Sequence, residues 1–187
     1  MSPQDWPVIS ATNEKNFKMT AEDATQTRNP VQNPFPEADS ARRAIWEMLV
    51  PRDIDAFIAA DWSMIEGDFI AANFHGMDGH FKPDPQDWTL TFPTLEAYRD
   101  EWLRQAHESQ QTDYAEDQRM GIFRATRLEE IEIDGPTALV RKKFDGRIRR
   151  ADGGEDRLLW QTLYICRETE EGWKIAGFVG YLPYGGH

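Results

Sequence analysis

A segment that reads IEGDFIAANFHGMDGH, residues 65–80, places an asparagine and two histidines among phenylalanine and isoleucine side chains. Its pattern predicts a strand from Asp68 to about Phe74, in which alternate side chains point to opposite faces. One of these faces carries Phe69, Ala71, Asn73 and His75. Polar groups share this face with a phenylalanine. The face is therefore either exposed to solvent at this end of the strand or lines a cavity in which the polar groups contact something other than protein.

His75 is the first candidate for chemistry on this face, because an imidazole can act as an acid or a base near neutral pH. Asn73 could hold a substrate carbonyl or a water, and Asp61 is a nearby carboxylate that could complete the acid–base set. The alternative is a histidine that is simply satisfied at a strand end. His75, Asp78 and His80 also have the side-chain types of metal ligands, but no fourth ligand is identifiable, so we expect no metal.

Aromatic residues later in the chain add candidates through the same alternation. One face of a predicted strand carries Trp160, Thr162, Tyr164 and Cys166. Tyr164 and Tyr181 could donate phenolic hydrogen bonds to an oxyanion or enol in an apolar site. The apolar contacts of such a ligand would come from Trp62, Phe69 and Trp160. Aromatic packing within the sheet is the alternative explanation for either tyrosine.

The composition limits the partners and the compartment. A chain of 187 residues with 40% hydrophobic side chains suffices for one domain with a core. Its formal charge of -12 would repel phosphate backbones and anionic lipid surfaces, so we expect neither nucleic acid nor a membrane as partner. The absence of a basic leader and of a long apolar run predicts a cytoplasmic protein. The single cysteine, Cys166, excludes an internal disulfide and is expected to be a buried small hydrophobe.

Helical periodicity predicts the elements that precede and follow the polar segment. The first helix lies within ADSARRAIWEML, with a cap at Asp39 or Ser40, and Pro51 should end it. A second helix follows, with Asp53 as its expected cap. A third helix, TLEAYRDEWLRQAHESQ, opens after Thr94, and a short strand WTLTFP precedes it.

Four strand-like runs follow residue 120, the first of them GIFRATRLEEIEIDG. Turn signals at residues 134–135, 152–154 and 171–172 separate these runs, and such short connections imply an antiparallel meander. Helices followed by strands predict an α+β domain, in which the N-terminal helices pack on a strongly bent antiparallel sheet. We place this domain at residues 38–187, after an extended arm at residues 1–37 that is rich in proline and polar side chains.

This order of elements resembles the NTF2-like superfamily, a cone-shaped α+β fold that includes SnoaL-type polyketide cyclases, ketosteroid isomerase, limonene epoxide hydrolase and scytalone dehydratase. The resemblance covers about residues 38–184 and rests most on DIDAFIAADW and on the closing GWKI strand. It implies a pocket for a small apolar molecule between sheet and helices, with His75 facing into the cone. The catalytic sets of the isomerase and the epoxide hydrolase do not match residue by residue, and scytalone dehydratase, which uses histidine with tyrosine, is nearest in residue type.

Two functions are consistent with this resemblance. The first is a SnoaL-like protein that binds a small, mostly apolar organic ligand and could act on it as an isomerase, dehydratase or cyclase without a cofactor. The alternative is a noncatalytic NTF2-like domain that dimerises or binds a protein. Many members of the superfamily dimerise through the sheet, and sheet aromatics such as Trp160, Tyr164 and Phe178 lead us to expect a homodimer.

Overall fold

A computed structural model describes residues 29–184 of the chain. The α-helices in this part are α1 (Ser40–Glu47), α2 (Asp53–Ala59), α3 (Leu95–Gln110) and α4 (Gln118–Ala125). The strands are β1 (His75–Asp78), β2 (Thr89–Phe92), β3 (Thr126–Asp134), β4 (Thr137–Arg149), β5 (Glu155–Thr169) and β6 (Gly172–Leu182).

The six strands form one sheet in the order β2-β1-β6-β5-β4-β3, curled around the helices without closing. The expected α+β class and bent sheet are therefore confirmed. The sheet is mixed rather than wholly antiparallel, because β1 pairs with β6 in parallel. Most of the predicted N-terminal arm lies outside the described residues, and Phe35 near its end packs against the core.

The first helical segment is longer than the sequence predicts. Asp39 caps α1 by accepting a hydrogen bond from the backbone N–H of Arg42 at 3.2 Å. Pro51 does not end the helix, because residues Met48–Arg52 form a π-helical stretch that leads directly into α2. Such a widened turn accommodates a residue that has no N–H to donate. Asp53 is the first residue of α2 rather than its cap, so the predicted role of its carboxylate is wrong.

The strand predicted from residue 68 to residue 74 is also wrong. A 3₁₀ turn occupies Glu66–Asp68, Phe69 makes a single bridge to β6, and β1 begins at His75. Between them the chain turns at residues 71–74, with a hydrogen bond from the N–H of residue 74 to the carbonyl of residue 71 and a φ of 60° at Asn73. This turn breaks the alternation that was expected to carry His75 into the cone.

The C-terminal meander is confirmed, apart from where its first strand begins. The residues GIFRA belong to α4, which Asp117 caps by accepting from the N–H of Met120 at 2.8 Å, and β3 begins at Thr126. The pairs β3–β4, β4–β5 and β5–β6 are antiparallel. The connecting turns contain Gly135, Gly153 and Gly172, all with positive φ. Glycine suits these positions because it has no Cβ to clash.

The hydrophobic core lies between the inner face of the sheet and the four helices. Ring contacts join α3, β6 and the chain between α2 and β1, for example Trp62 with Phe69 at 5.1 Å and Tyr98 with Phe178 at 4.7 Å between ring centroids. Cys166 is fully buried in this core, as the sequence predicts. Burial raises the pKa of its thiol to about 12, so the thiolate that a nucleophilic role would need is disfavoured.

Gly146 tests the contact between α4 and the sheet. A Cβ added there would lie 2.7 Å from the Cβ of Ala125, so we expect Gly146→Ala to lower the free energy of unfolding by about 1–3 kcal/mol. Gly67→Ala is the control, because a Cβ at Gly67 meets no atom within 4 Å. Urea denaturation measures both variants, and equal stability of the two would contradict the described packing of α4.

Candidate functional site

A cavity of about 230 Å³ lies inside the cone, between helices α2, α3 and α4 and the inner face of β4, β5 and β6. Most of its wall is aromatic or aliphatic, including Phe57, Phe92, Trp102, Phe144, Trp160 and Phe178. A few polar side chains interrupt this wall. An apolar cavity with few convergent polar groups is the usual form of a small-molecule site.

An ion pair forms part of the cavity wall. Alternation along β4 places Lys142 on the inner face between Val140 and Phe144, and its side chain is 1% exposed. The Lys142 Nζ donates a hydrogen bond to the Asp53 Oδ2 at 2.7 Å and lies 5.0 Å from the centre of the Phe144 ring. Placing this charge out of water costs free energy that the Asp53 carboxylate offsets only in part. Such a pair therefore contributes little net stability.

Two tyrosines supply hydroxyl groups to the same cavity. Tyr98 comes from α3 and Tyr164 from β5, and among the described residues neither hydroxyl has a hydrogen-bond partner. Burial raises the pKa of both phenols well above the ordinary tyrosine value. Both groups therefore stay protonated and can donate hydrogen bonds to an oxygen atom of a ligand.

A chain of hydrogen bonds crosses the rim of the cavity. The Tyr181 hydroxyl donates to the Gln105 Oε1 at 3.0 Å, and the Gln105 Nε2 donates to the Glu101 Oε1 at 2.7 Å. Hydrogen bonds from Arg104 lower the pKa of Glu101, which keeps that carboxylate ionised as an acceptor. These contacts fix the Tyr181 ring between the cavity and a wider depression outside it.

The backbone is strained at the same rim. His80, Phe81 and Tyr181 have φ values of 49°, 56° and 51°, a region that residues other than glycine rarely adopt. The Phe81 N–H donates to the Tyr181 carbonyl at 2.8 Å, and their rings lie 5.7 Å apart. Strain of this kind persists where surrounding structure enforces it, often at functional sites.

A second carboxylate lies behind the tyrosines. Asp68 is buried at the end of the 3₁₀ turn Glu66–Asp68. One of its oxygens accepts from Arg52, while Oδ2 has no partner among the described residues. Burial raises its pKa against the opposing effect of Arg52. The small cleft that contains Asp68 shares Asp53, Tyr98 and Tyr164 with the main cavity, so two carboxylates flank the tyrosine pair.

Some of the predicted site residues do meet at the cavity. Trp160, Tyr164 and Tyr181 all line it, as their strand alternation indicates. Trp62 and Phe69 lie outside its lining. They form the aromatic cluster behind the wall, and Phe69 also lines the small cleft.

The structure does not bring His75, Asn73 or Asp61 to the cavity. His75 is exposed, its Nδ1 lies 3.2 Å from the Asn73 carbonyl oxygen, and its ring lies over Gly177 on the outer face of the sheet. Asp61 is exposed and accepts hydrogen bonds from the N–H and the Oγ of Ser63 at 3.0 and 2.6 Å. The prediction that His75 faces into the cone is therefore wrong. The turn at residues 71–74 breaks the expected alternation, and β1 begins with the His75 side chain on the outer face.

Lys142 and Asp53 were not among the predicted site residues. The run RKKFDGRIRR has the charge of a solvated strand, and its alternate residues are indeed outside: Arg141 and Lys143 both lie within ion-pair distance of Glu130 on β3. The alternation that places those two outside places Lys142 inside. A lysine flanked by valine and phenylalanine two positions away on each side was the available signal.

Comparisons with known proteins identify the fold. Neither the family models nor the curated proteins give a match to this sequence. Among solved structures, an NTF2-like superfamily protein from Salmonella enterica is 12% identical, with a TM-score of 0.52 over 80% of this chain and 96% of that chain. A candidate dehydratase of the NTF2-like family from Streptomyces avermitilis is 14% identical, with a TM-score of 0.51 over 80% of this chain and 99% of that one. The chain has the NTF2-like fold.

Two further findings concern the part of the chain that the structure describes. None of its helices has both the length and the apolar character needed to cross a membrane. No group of three His, Cys, Asp or Glu side chains in residues 29–184 is arranged to hold a metal ion.

The ion pair predicts unequal effects of single and double substitutions. Lys142→Met leaves Asp53 without its partner, and we expect a loss of about 3 kcal/mol in the free energy of unfolding, near the lower end of the range for a broken buried pair because Asp53 is partly solvated. The double variant Lys142→Met with Asp53→Leu should recover most of this loss. Chemical denaturation of the wild type, both single variants and the double variant measures the coupling, and additive losses would contradict a direct interaction.

Proposed function

We propose that the cavity binds a small, mostly apolar organic molecule that carries a carbonyl group, and that the protein catalyses proton transfer on it without a cofactor. The observation that carries this proposal is the ion pair between buried Lys142 and partly exposed Asp53, in a cavity that the Tyr98 and Tyr164 side chains also line. Isomerisation, dehydration and cyclisation all require such a transfer next to a carbonyl or hydroxyl group.

The size and lining of the cavity narrow the ligand. A volume of about 230 Å³ is below the range of about 300–1,000 Å³ typical of drug-sized ligands, which favours a molecule of one or two rings. The Phe144 and Trp160 rings are stacked, with their centroids 4.5 Å apart. On the other side, the Trp160 and Tyr181 ring centroids are 5.7 Å apart. Aromatic walls of this kind favour a flat ligand, because rings gain by stacking and edge contacts as well as by burial.

The polar groups suit proton abstraction next to a carbonyl. Asp53 is the base that takes the proton, and the Tyr98 and Tyr164 hydroxyls donate hydrogen bonds to the oxygen on which negative charge develops. Lys142 balances the charge of Asp53 before the transfer and that of the enolate after it. Each donor is held in place by the fold, so little reorganisation accompanies the reaction.

Proton exchange tests this chemistry directly. Incubation of the protein with 2-acetylnaphthalene in D₂O should replace the methyl protons next to the carbonyl by deuterium, which ¹H NMR detects. Asp53→Asn should slow the exchange by about 10² to 10⁴, the usual contribution of a general base, while leaving a hydrogen-bond acceptor for Lys142. Binding of the ketone without exchange above the buffer rate would contradict the catalytic part of the proposal.

Removal of either cavity tyrosine hydroxyl should weaken ligand binding and leave the fold intact. Tyr98→Phe and Tyr164→Phe should each weaken binding of 2-acetylnaphthalene about tenfold, because each removes one hydrogen bond to the carbonyl oxygen. Quenching of tryptophan fluorescence measures the affinity, since Trp102 and Trp160 line the cavity. Tyr114→Phe is the matched control, because the Tyr114 hydroxyl bonds to Asp156 at 2.8 Å outside the cavity. If Tyr98→Phe and Tyr164→Phe bind the ketone as tightly as Tyr114→Phe, the Tyr98 and Tyr164 hydroxyls do not donate to the carbonyl oxygen.

A second candidate function, dimerisation of the fold, is favoured by an apolar patch on the outer face of the sheet. Leu139 and Ile165 are direct cross-strand partners and are 55% and 37% exposed. The neighbouring pair Leu163 and Val179 extends this patch onto β6. An exposed apolar sheet face is a frequent interface between identical subunits. We propose a homodimer through this patch, which is compatible with catalysis in the cone and would be the main role of the domain if the cavity binds no ligand.

Light scattering after size-exclusion chromatography tests the dimer. Leu139→Glu should shift the mass from dimer to monomer, because two carboxylates would be buried close to the symmetry axis. Leu90→Glu is the control, since Leu90 is equally exposed at 56% but lies on edge strand β2, which β1 separates from the patch. A wild-type monomer at all concentrations, or an unchanged dimer in Leu139→Glu, would contradict this interface.

A further inference from the structure

Lys142 differs from the other lysines of the described residues in its surroundings. The chain has six lysines, and in the described part only Lys142 lines the main cavity. The Lys143 side chain, one residue later, is on the outer face with 21% exposure and contacts Glu130. Lys174 contacts Glu171 near the surface with 18% exposure. A ligand in the cavity would therefore contact Lys142 and not Lys143. Lys143 can serve as a reference for the reactivity of a lysine on the outer face.

The Lys142 amine lies beside its own base. Asp53 Oδ2 accepts from Nζ at 2.7 Å, so one proton can move between them without any rearrangement of the chain. An apolar ligand that fills the cavity removes water from around the pair, and a less polar environment favours the neutral amine and carboxylic acid over the two charges. A desolvated lysine in an apolar pocket is a recognised nucleophile toward carbonyl carbon.

We propose that Lys142 forms an imine with small aromatic aldehydes bound in the cavity. This inference rests on the proposed function of the cavity and assigns aldehydes as a ligand class that it holds covalently. Aldehydes are the favoured carbonyl compounds, because their carbon carries only one substituent and the amine is confined between the Phe144 ring and Asp53.

The reaction is balanced by the residues on the cavity wall. Asp53 takes a proton from the Lys142 ammonium, and the free amine forms a bond to the aldehyde carbon while the carbonyl π electrons move to oxygen. That oxygen receives the proton from Asp53, which gives a carbinolamine. The nitrogen of this carbinolamine still carries two protons and a positive charge. One of these protons moves through Asp53 to the hydroxyl, water departs, and the iminium that remains keeps the last nitrogen proton. The net change is ammonium plus aldehyde to iminium plus water, with Asp53 regenerated as carboxylate.

Reductive trapping tests the inference. The full-length protein is incubated with 2-naphthaldehyde and sodium cyanoborohydride, which delivers hydride to the iminium carbon and makes a stable secondary amine. Peptide mass spectrometry then locates the adduct. We expect at least tenfold more label on Lys142 than on Lys143 or Lys174. Both reference lysines also contact a carboxylate, but only the cavity holds the aldehyde beside the amine and so raises its effective concentration there.

The competitor 2-naphthalenemethanol supplies the control for site occupancy. It has the same ring system but no carbonyl group, so it should occupy the cavity and suppress labelling of Lys142 while leaving the surface lysines unchanged. Asp53→Asn should lower labelling of Lys142 at least tenfold with no effect on Lys143. The wild-type comparison among lysines of one molecule does not depend on the folding of any variant.

The two proposals fail in different ways. If 2-naphthalenemethanol quenches the tryptophan fluorescence but Lys142 carries no more label than Lys143, the imine is excluded and the binding function stands. If neither the alcohol nor the aldehyde binds and Lys142 is unlabelled, both proposals are overturned. Label on Lys142 that the alcohol does not suppress would also overturn the inference, because that reaction would not occur in the cavity.

Discussion

The pair of Lys142 and Asp53 joins the sheet to the helices across the interior of the cone. A lysine on the inner face of β4 is acceptable only if a carboxylate meets it there, because an unpaired charge out of water costs several kcal/mol. The π-helical stretch Met48–Arg52 continues the first helical segment past Pro51 and delivers Asp53 as the first residue of α2. The irregular helix is therefore the local feature on which the polar centre of the cavity depends.

The rest of the cavity follows from keeping that pair in apolar surroundings. Aromatic side chains from α3, β5 and β6 surround the pair. Two of them, Tyr98 and Tyr164, can donate hydrogen bonds, because burial raises the pKa of their phenols and keeps them protonated. At the rim, Tyr181 is held by Gln105 and by strained backbone at His80 and Phe81. An interior with few polar groups strengthens each electrostatic interaction within it. The proposed binding and proton transfer depend on this combination.

The sequence predicted most of the sheet and part of the site. Alternation and turn glycines were enough for β4, β5 and β6, and the same alternation placed Trp160, Tyr164 and Tyr181 on the cavity side. The segment before β1 was predicted wrongly, because the turn at residues 71–74 has no glycine or proline to mark it. Asp53 could not be assigned from the sequence, since a proline normally ends a helix and an aspartate after it looks like a cap. Only the structure, in which Lys142 on β4 donates to Asp53 at the start of α2, shows that its partner is a lysine.

Fluorine NMR of protein labelled with 5-fluorotryptophan tests most directly whether the cone is a ligand site. The chain has seven tryptophans, of which Trp102 and Trp160 line the cavity. Trp46 belongs to the core and Trp173 packs against it, and neither lines the cavity. Addition of 2-acetylnaphthalene should shift the resonances of Trp102 and Trp160 saturably and leave those of Trp46 and Trp173 unchanged, with assignments from single Trp→Phe variants. Saturation without any shift at Trp102 and Trp160, or no shift at all up to the solubility limit of the ketone, would contradict the account.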